Sequence, residues 1–255
     1  PKDVREAAKW YLIPAGQGYP EAQYSLGRLY ADDDGILKDT REAVKWYRNA
    51  AEQGYAEAQY SLGAIYDDGR EVPEDDKEAA KWYRKAAEQG YAEAQYNLGQ
   101  LYGKGDGVPK NDGEALKWHY KAAEQGHGRS QFELGMRYTR GEGVPRDIVT
   151  GYAWFNIVAA LNSNKDKALF SYTLLAKSQK NTWARQMTPE QITLAQELSK
   201  EMIKNDPKGL NYNKAFELTN ASAEKGYVEA LRHMYPNSKE LGFKSPIATK
   251  LQQSP

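Results

Sequence analysis

Residues 57–63 read Glu-Ala-Gln-Tyr-Ser-Leu-Gly, and the same seven residues stand at 21–27. One residue changes at 93–99, Glu-Ala-Gln-Tyr-Asn-Leu-Gly, and the word persists at 129–135 as Arg-Ser-Gln-Phe-Glu-Leu-Gly. The step is 36 residues, and it is kept elsewhere. Trp10, Trp46, Trp82, Trp118 and Trp154 follow it, as do Gly18, Gly54, Gly90 and Gly126. Self-similarity at such a period marks a stack of supersecondary units, none of which can bury its apolar face alone.

Each unit reads as two helices. Asp39 stands at an N-cap position with Glu42 three residues on, the spacing of a capping box. The pair recurs as Asp3/Glu6, Asp75/Glu78 and Asn111/Glu114, while Asp147 is followed by Thr150. Ala43, Trp46, Tyr47, Ala50 and Ala51 then form an apolar stripe at helical spacing. Gly54 is placed to end that helix in a left-handed conformation. In the next helix Ala58, Leu62 and Ile65 share a face, and Gly63 lets the partner helix approach. Gly- and Pro-bearing loops such as 105–109 and 141–145 close each unit. The pattern gives a partial unit over 1–18 and whole units over about 19–54, 55–90, 91–126 and 127–162. Pro14 and Gly16 fall within the first helix, which predicts that it is short or kinked.

The register fails after Trp154. A new helix is expected from about residue 189, with Thr188 as N-cap and Gln191 as its box partner, and Ile192, Ala195, Leu198 and Met202 on one face. The stretch 163–210 therefore reads as a divergent segment that closes the array. A degenerate partial unit is expected over 211–235 and an irregular tail over 236–255. Because Pro1 falls inside a unit, the chain reads as a processed or trimmed piece.

Composition narrows the function classes. The chain has 255 residues with 35 Lys+Arg against 35 Asp+Glu, so nothing marks it as a nucleic-acid binder. No apolar run approaches the ~18–20 residues of a membrane span. Without cysteine, disulfides and thiolate chemistry are excluded. His119, His127 and His233 replace aromatic or other structural positions one at a time, with no second ligand at metal spacing. Asp32-Asp33-Asp34-Gly35 lacks the alternating ligands of a calcium loop, and the acidic run from Asp67 to Asp76 reads as a solvated edge. Ser222 and Lys225 have the spacing of a penicillin-binding Ser-x-x-Lys motif, but the companion motifs are missing. No catalytic residue, metal site or cofactor is expected, and the chain does not read as an enzyme.

The two words Glu-Ala-Gln-Tyr-x-Leu-Gly-x-x-Tyr and Asp-x-x-x-Glu-Ala-x-Lys-Trp-Tyr-x-x-Ala-Ala-Glu-Gln-Gly resemble the Sel-1-like repeat family, a relative of the tetratricopeptide repeats. The resemblance covers residues 1–162 most strongly. It implies an all-α, right-handed α/α superhelical solenoid with the Leu-Gly helices lining the concave side. It also implies an adaptor or scaffold for protein complexes, frequent in bacterial envelopes and at host interfaces. A β-lactam- or peptidoglycan-related envelope protein, and a spacer within a larger protein, are the alternatives.

At 100° per residue with Leu26 at zero, Tyr24 falls on the far side of its helix. The equivalents are Tyr60, Tyr96 and Phe132. These rings either pack sideways against the next repeat or form a partly exposed ladder suited to a peptide. Glu57, Glu93 and Arg129 lie beside them, and Arg28, Ala64, Gln100 and Met136 vary at one register. The expected partner-binding set is therefore Glu57, Tyr60, Glu93, Tyr96, Arg129 and Phe132, with a protein or peptide as partner.

Overall fold

Each repeat begins with a short tie between helices rather than with a large core. In the computed structural model, which describes residues 4–32, 38–69, 72–161 and 167–204, the regular elements among those residues are all α-helices. They are α1 (Val4–Gly16), α2 (Pro20–Ala31), α3 (Thr40–Glu52), α4 (Ala56–Asp68), α5 (Asp76–Glu88), α6 (Ala92–Lys104), α7 (Asp112–Glu124), α8 (Gly128–Arg140), α9 (Ile148–Ala160), α10 (Lys167–Ala184) and α11 (Pro189–Lys204). The expectations for 211–235 and 236–255, and for His233 and Ser222, lie outside the described residues.

The helix starts are specified by side chains. Asp39 Oδ1 accepts from the N–H groups of Arg41 and Glu42 at 3.0 and 3.1 Å, and Asp75 caps α5 in the same way. The expected box does not close at these caps. The N-cap N–H instead donates to the carbonyl of a tyrosine in the preceding helix: Asp39 to Tyr30, Asp75 to Tyr66 and Asp147 to Tyr138. Glu78 is thereby released to accept from the Trp82 indole N–H at 3.1 Å, and Glu42 pairs with Lys45. At the other end, Gly54 at φ 92° lets the Tyr55 N–H reach the Ala50 carbonyl and turn the chain into α4. α1 keeps the 13-residue length of α3 and α5 with Pro14 inside it, contrary to the expected shortening. Proline costs most in a helix interior, and Pro14 sits in the last turn.

The chain divides into two packing units, 1–115 and 116–255. In the first, α1 packs on α2, α2 on α3, α3 on α4, α4 on α5 and α5 on α6. Each tryptophan inserts into the unit before its own. Trp82 is 2% exposed and joins Tyr47, Ala50, Ala51 and Leu62. Such a burial contributes roughly 1.5–3 kcal/mol. Trp46, on the apolar stripe of α3, is only half-buried against Ala15, Ala22 and Leu26. Of the unit before its own, residues 1–18, only α1 is described. Trp10 lies on α1, before which no helix is described, and is 74% exposed.

The second unit repeats the logic and adds to it. α8 packs on α9, and Trp154 is buried with Leu116, Tyr120 and Leu134. α10 lies on α9 and α8, and α11 lies on α9. α11 opens on a closed capping box: the Thr188 N–H donates to Gln191 Oε1 at 3.0 Å, and the Gln191 N–H donates to Thr188 Oγ1 at 3.3 Å. Met187, Ala195, Leu198 and Met202 bury its inner face. α10 had no counterpart in the sequence reading.

Candidate functional site

In every repeat the helix bearing Gln-Tyr-x-Leu-Gly has two sides, and backbone spacing assigns the residues to each. Ala58, Gln59, Leu62 and Gly63 are buried, as are Ala94, Gln95, Leu98 and Gly99. Gln59 Nε2 donates to the Ala51 carbonyl at 3.0 Å, and its Oε1 accepts from Gln89 Nε2 at 2.7 Å. Gln23 does the same between Ala15 and Gln53 at 3.1 and 2.8 Å. Three successive helix ends are thus tied through one buried amide, which adds a second donor to a carbonyl at a helix C-terminus.

The opposite side carries Glu21, Ser25, Arg28 and Asp32 in the first repeat. In the next two it carries Glu57, Ser61, Ala64 and Asp68, then Glu93, Asn97, Gln100 and Lys104. Their offsets of four, seven and eleven residues keep them on one helical stripe. Each of these residues is half-buried or exposed.

The aromatic rings sit at the border between the two sides. Tyr24 lies 5.7 Å from Tyr47 and 5.2 Å from Tyr55, centroid to centroid, and Tyr60 lies 5.8 Å from Tyr83 and 5.1 Å from Tyr91. Tyr60 is half-buried, whereas Tyr96 is 8% exposed and Phe132 is 7% exposed. Phe132 is enclosed by Phe155 at 5.5 Å and by Tyr172 of α10 at 5.4 Å. Arg129, half-buried, holds its guanidinium 6.0 Å from that same Tyr172 ring. Within the first unit, then, Glu57, Tyr60 and Glu93 reach the surface while Tyr96 is buried. Within the second, the chain's own α10 lies against Phe132 and Arg129. Gly27, Gly63 and Gly135, by lacking a side chain, let the ring of the following helix, Tyr47, Tyr83 or Phe155, lie close against their own helix.

Electrostatics set the character of this face. Burial is the main cause that raises Tyr91, to about 12, with Glu93 and the neighbouring tyrosines adding to it. Burial and the carboxylates of Glu57 and Glu21 likewise raise Tyr55. These phenols stay neutral donors beside the acidic residues. His119 is fully buried and held to about 3, first by burial and then by the positive charge of Arg137 and His127, so it is a neutral packing residue. His127 caps α8, accepting from the Ser130 N–H at 3.3 Å. Among the described residues, no group of three or more His, Asp or Glu is placed to hold a metal ion, and no helix is long and apolar enough to cross a membrane.

Sequence reading missed a cleft at the start of the first unit. It has a volume of about 510 Å³ and is lined by Tyr11, Ser25, Arg28, Leu29, Asp32 and Tyr47 among others. The signal was the offset of three and four residues that joins Ser25 and Asp32 to Arg28.

Paired antiparallel helices, ring-on-glycine contacts and amide ties repeating at one period define an α/α repeat solenoid. The Sel1 repeat model matches residues 1–19, 20–55, 56–91, 92–127, 128–163 and 206–227, and the chain belongs to that family. Among solved structures it is similar to c5321, a protective antigen of uropathogenic Escherichia coli strains displaying an SLR fold. The identity is 33% and the TM-score 0.68, over 94% of this chain and 44% of that one. It therefore spans less than half of that relative's length. A Sel1 repeat protein from Oxalobacter formigenes is 40% identical over 49% of this chain and 93% of its own, with TM-score 0.45. Cysteine rich protein B of Helicobacter pylori is 24% identical over 48% and 87%, with TM-score 0.39. No curated protein matches the chain. Sel1 repeat proteins are in general protein-interaction scaffolds.

Proposed function

We propose that this chain is a non-catalytic scaffold that holds a protein or peptide segment across the exposed stripe of its Gln-Tyr-x-Leu-Gly helices. The observation that supports it is the contrast between the two sides of each helix. The buried side repeats almost residue for residue, while the exposed side changes from Arg28 to Ala64 to Gln100 at one register. Packing explains the constancy of the first and makes no demand on the second. In the first unit Glu57 and Glu93 meet the partner as orienting charges, and the outer edge of Tyr60 gives an amphipathic contact of the kind that anchors interfaces. Tyr96 acts from beneath by fixing the spacing. In the second unit Arg129 supplies the opposite charge at the same register, supported by Phe132.

A photo-crosslinking amino acid at Ala64, on the stripe, is the test, with Glu88, exposed on α5, as the control position. In lysate of the native organism, a partner should be captured from position 64 and not from position 88. Capture from both alike, or from 88 alone, contradicts the reading.

A further inference from the structure

We propose that the cleft beside α1 takes the C-terminal residue of an extended peptide, with the terminal carboxylate on Arg28 and the last side chain among Tyr11, Leu29 and Tyr47. The inference rests on the scaffold reading and names the end of the partner that the scaffold holds. The cleft has a volume of about 510 Å³ and stands open to solvent, room for one terminal residue of an extended chain. Its wall is fixed by packing: a Cβ on Gly27 would stand 2.7 Å from Tyr47 Cδ1, and Tyr47 itself is buried. The ring therefore has no room to swing toward α2.

The charge of the cleft is local. Arg28 is exposed and lies with its guanidinium 6.0 Å from the Tyr24 ring, while the next two repeats carry Ala64 and Gln100 at its register. A guanidinium presents parallel N–H groups that a carboxylate accepts in pairs. Asp32 stands four residues on, along the same stripe, where its charge disfavours a second acid. The ligand must then bring one carboxylate close to an apolar group. A chain terminus does so by construction, since the carboxylate and the last side chain leave the same Cα. An aspartate or glutamate side chain brings the charge without the apolar neighbour.

Three probes decide the matter by titration calorimetry at low salt: acetyl-Gly-Gly-Phe as the free acid, the same tripeptide as its amide, and acetyl-Gly-Gly-Asp amide. The free acid should bind at least about tenfold more tightly than either amide. In Arg28→Gln that preference should vanish with an unchanged melting curve, because the side chain it alters is exposed. Equal binding of acid and amide overturns the proposal. So does a preference that survives Arg28→Gln, or an Asp amide that matches the free acid. The outcome is separable from the scaffold reading, which stands or falls on position 64 whatever these tripeptides do.

Discussion

Gly63 of α4 and Tyr83 of α5 are in contact closer than any side chain would permit: a Cβ at position 63 would lie 2.8 Å from Tyr83 Cδ1. The same relation joins Gly27 to Tyr47 and Gly135 to Phe155, at 2.7 and 2.6 Å. The glycine is what lets each aromatic lie flat across the preceding helix, and it sets the step of the array. Gly63→Ala gains up to about 1 kcal/mol of helix propensity. It also forces a buried ring to move, which costs about 1–3 kcal/mol. The net expectation is a lower melting temperature by thermal denaturation. Gly16, with nothing within 4 Å of its would-be Cβ and no positive φ, should give the opposite sign when changed to Ala.

Gln59 is the buried tie between α3, α4 and the end of α5. Gln59→Leu keeps the volume but removes one donor to the Ala51 carbonyl, which keeps the Gly54 N–H, and the acceptor of the exposed Gln89 amide. A lost hydrogen bond of this kind costs about 0.5–1.5 kcal/mol. Chemical denaturation should show a loss of that size. The change Gln53→Leu, at an exposed residue whose amide donates to Gln23, should cost less.

His119 gives a pH dependence with a definite sign. Its folded pKa is lowered to about 3 from 6.5, mainly by burial. The unfolded chain takes up this proton near pH 6.5 and the folded chain does not. The stability it contributes is therefore full above that pH and is lost as pH falls from 6.5 toward 3, at up to ~1.4 kcal/mol per pH unit. Burial raises the carboxyls of Glu133 and Asp147, which act in the opposite sense over their own range. The comparison must therefore be with a variant that removes the imidazole alone. His119→Phe, the residue Phe155 supplies at the same register, should have a flatter stability profile between pH 6.5 and 4. Parallel profiles would contradict the assignment.

α11 covers the apolar side of α9 with Ala195, Leu198 and Met202. Leu198→Ala should cost about 2–5 kcal/mol. Thr188→Ala, which opens the capping box, should cost nearer ~1 kcal/mol. If Leu198→Ala left the denaturation midpoint in place, α11 would not be part of the core.

The repeat was legible because glycine, tryptophan and the N-cap acids recur at one period, and each carries a local backbone requirement. The start of α11 was legible for the same reason, through Thr188, Pro189 and Gln191. Features set by non-local partners were not. The N-cap N–H of Asp39 goes to Tyr30 rather than to Glu42, a choice that depends on how two helices meet. α10 breaks the period and leaves Phe170, Leu174 and Leu175 exposed, so its apolar residues do not mark a buried face. A single helical wheel put the rings of Tyr96 and Phe132 opposite the leucine face and left open whether they pack or stay exposed. Their burial comes from elements that a wheel omits, such as Tyr172 on α10.

The exposed stripe is the centre of the account, and Ala64→Arg tests it most directly. Arg28 occupies the same register one repeat earlier, so the fold accommodates that side chain. The variant changes only the shape and charge of the stripe beside Glu57. With the partner captured at position 64, its affinity for wild type and Ala64→Arg should be measured beside both melting temperatures. The account predicts binding at least about tenfold weaker, some 1.4 kcal/mol, with the melting temperature unchanged. Unchanged affinity in a folded Ala64→Arg would contradict it.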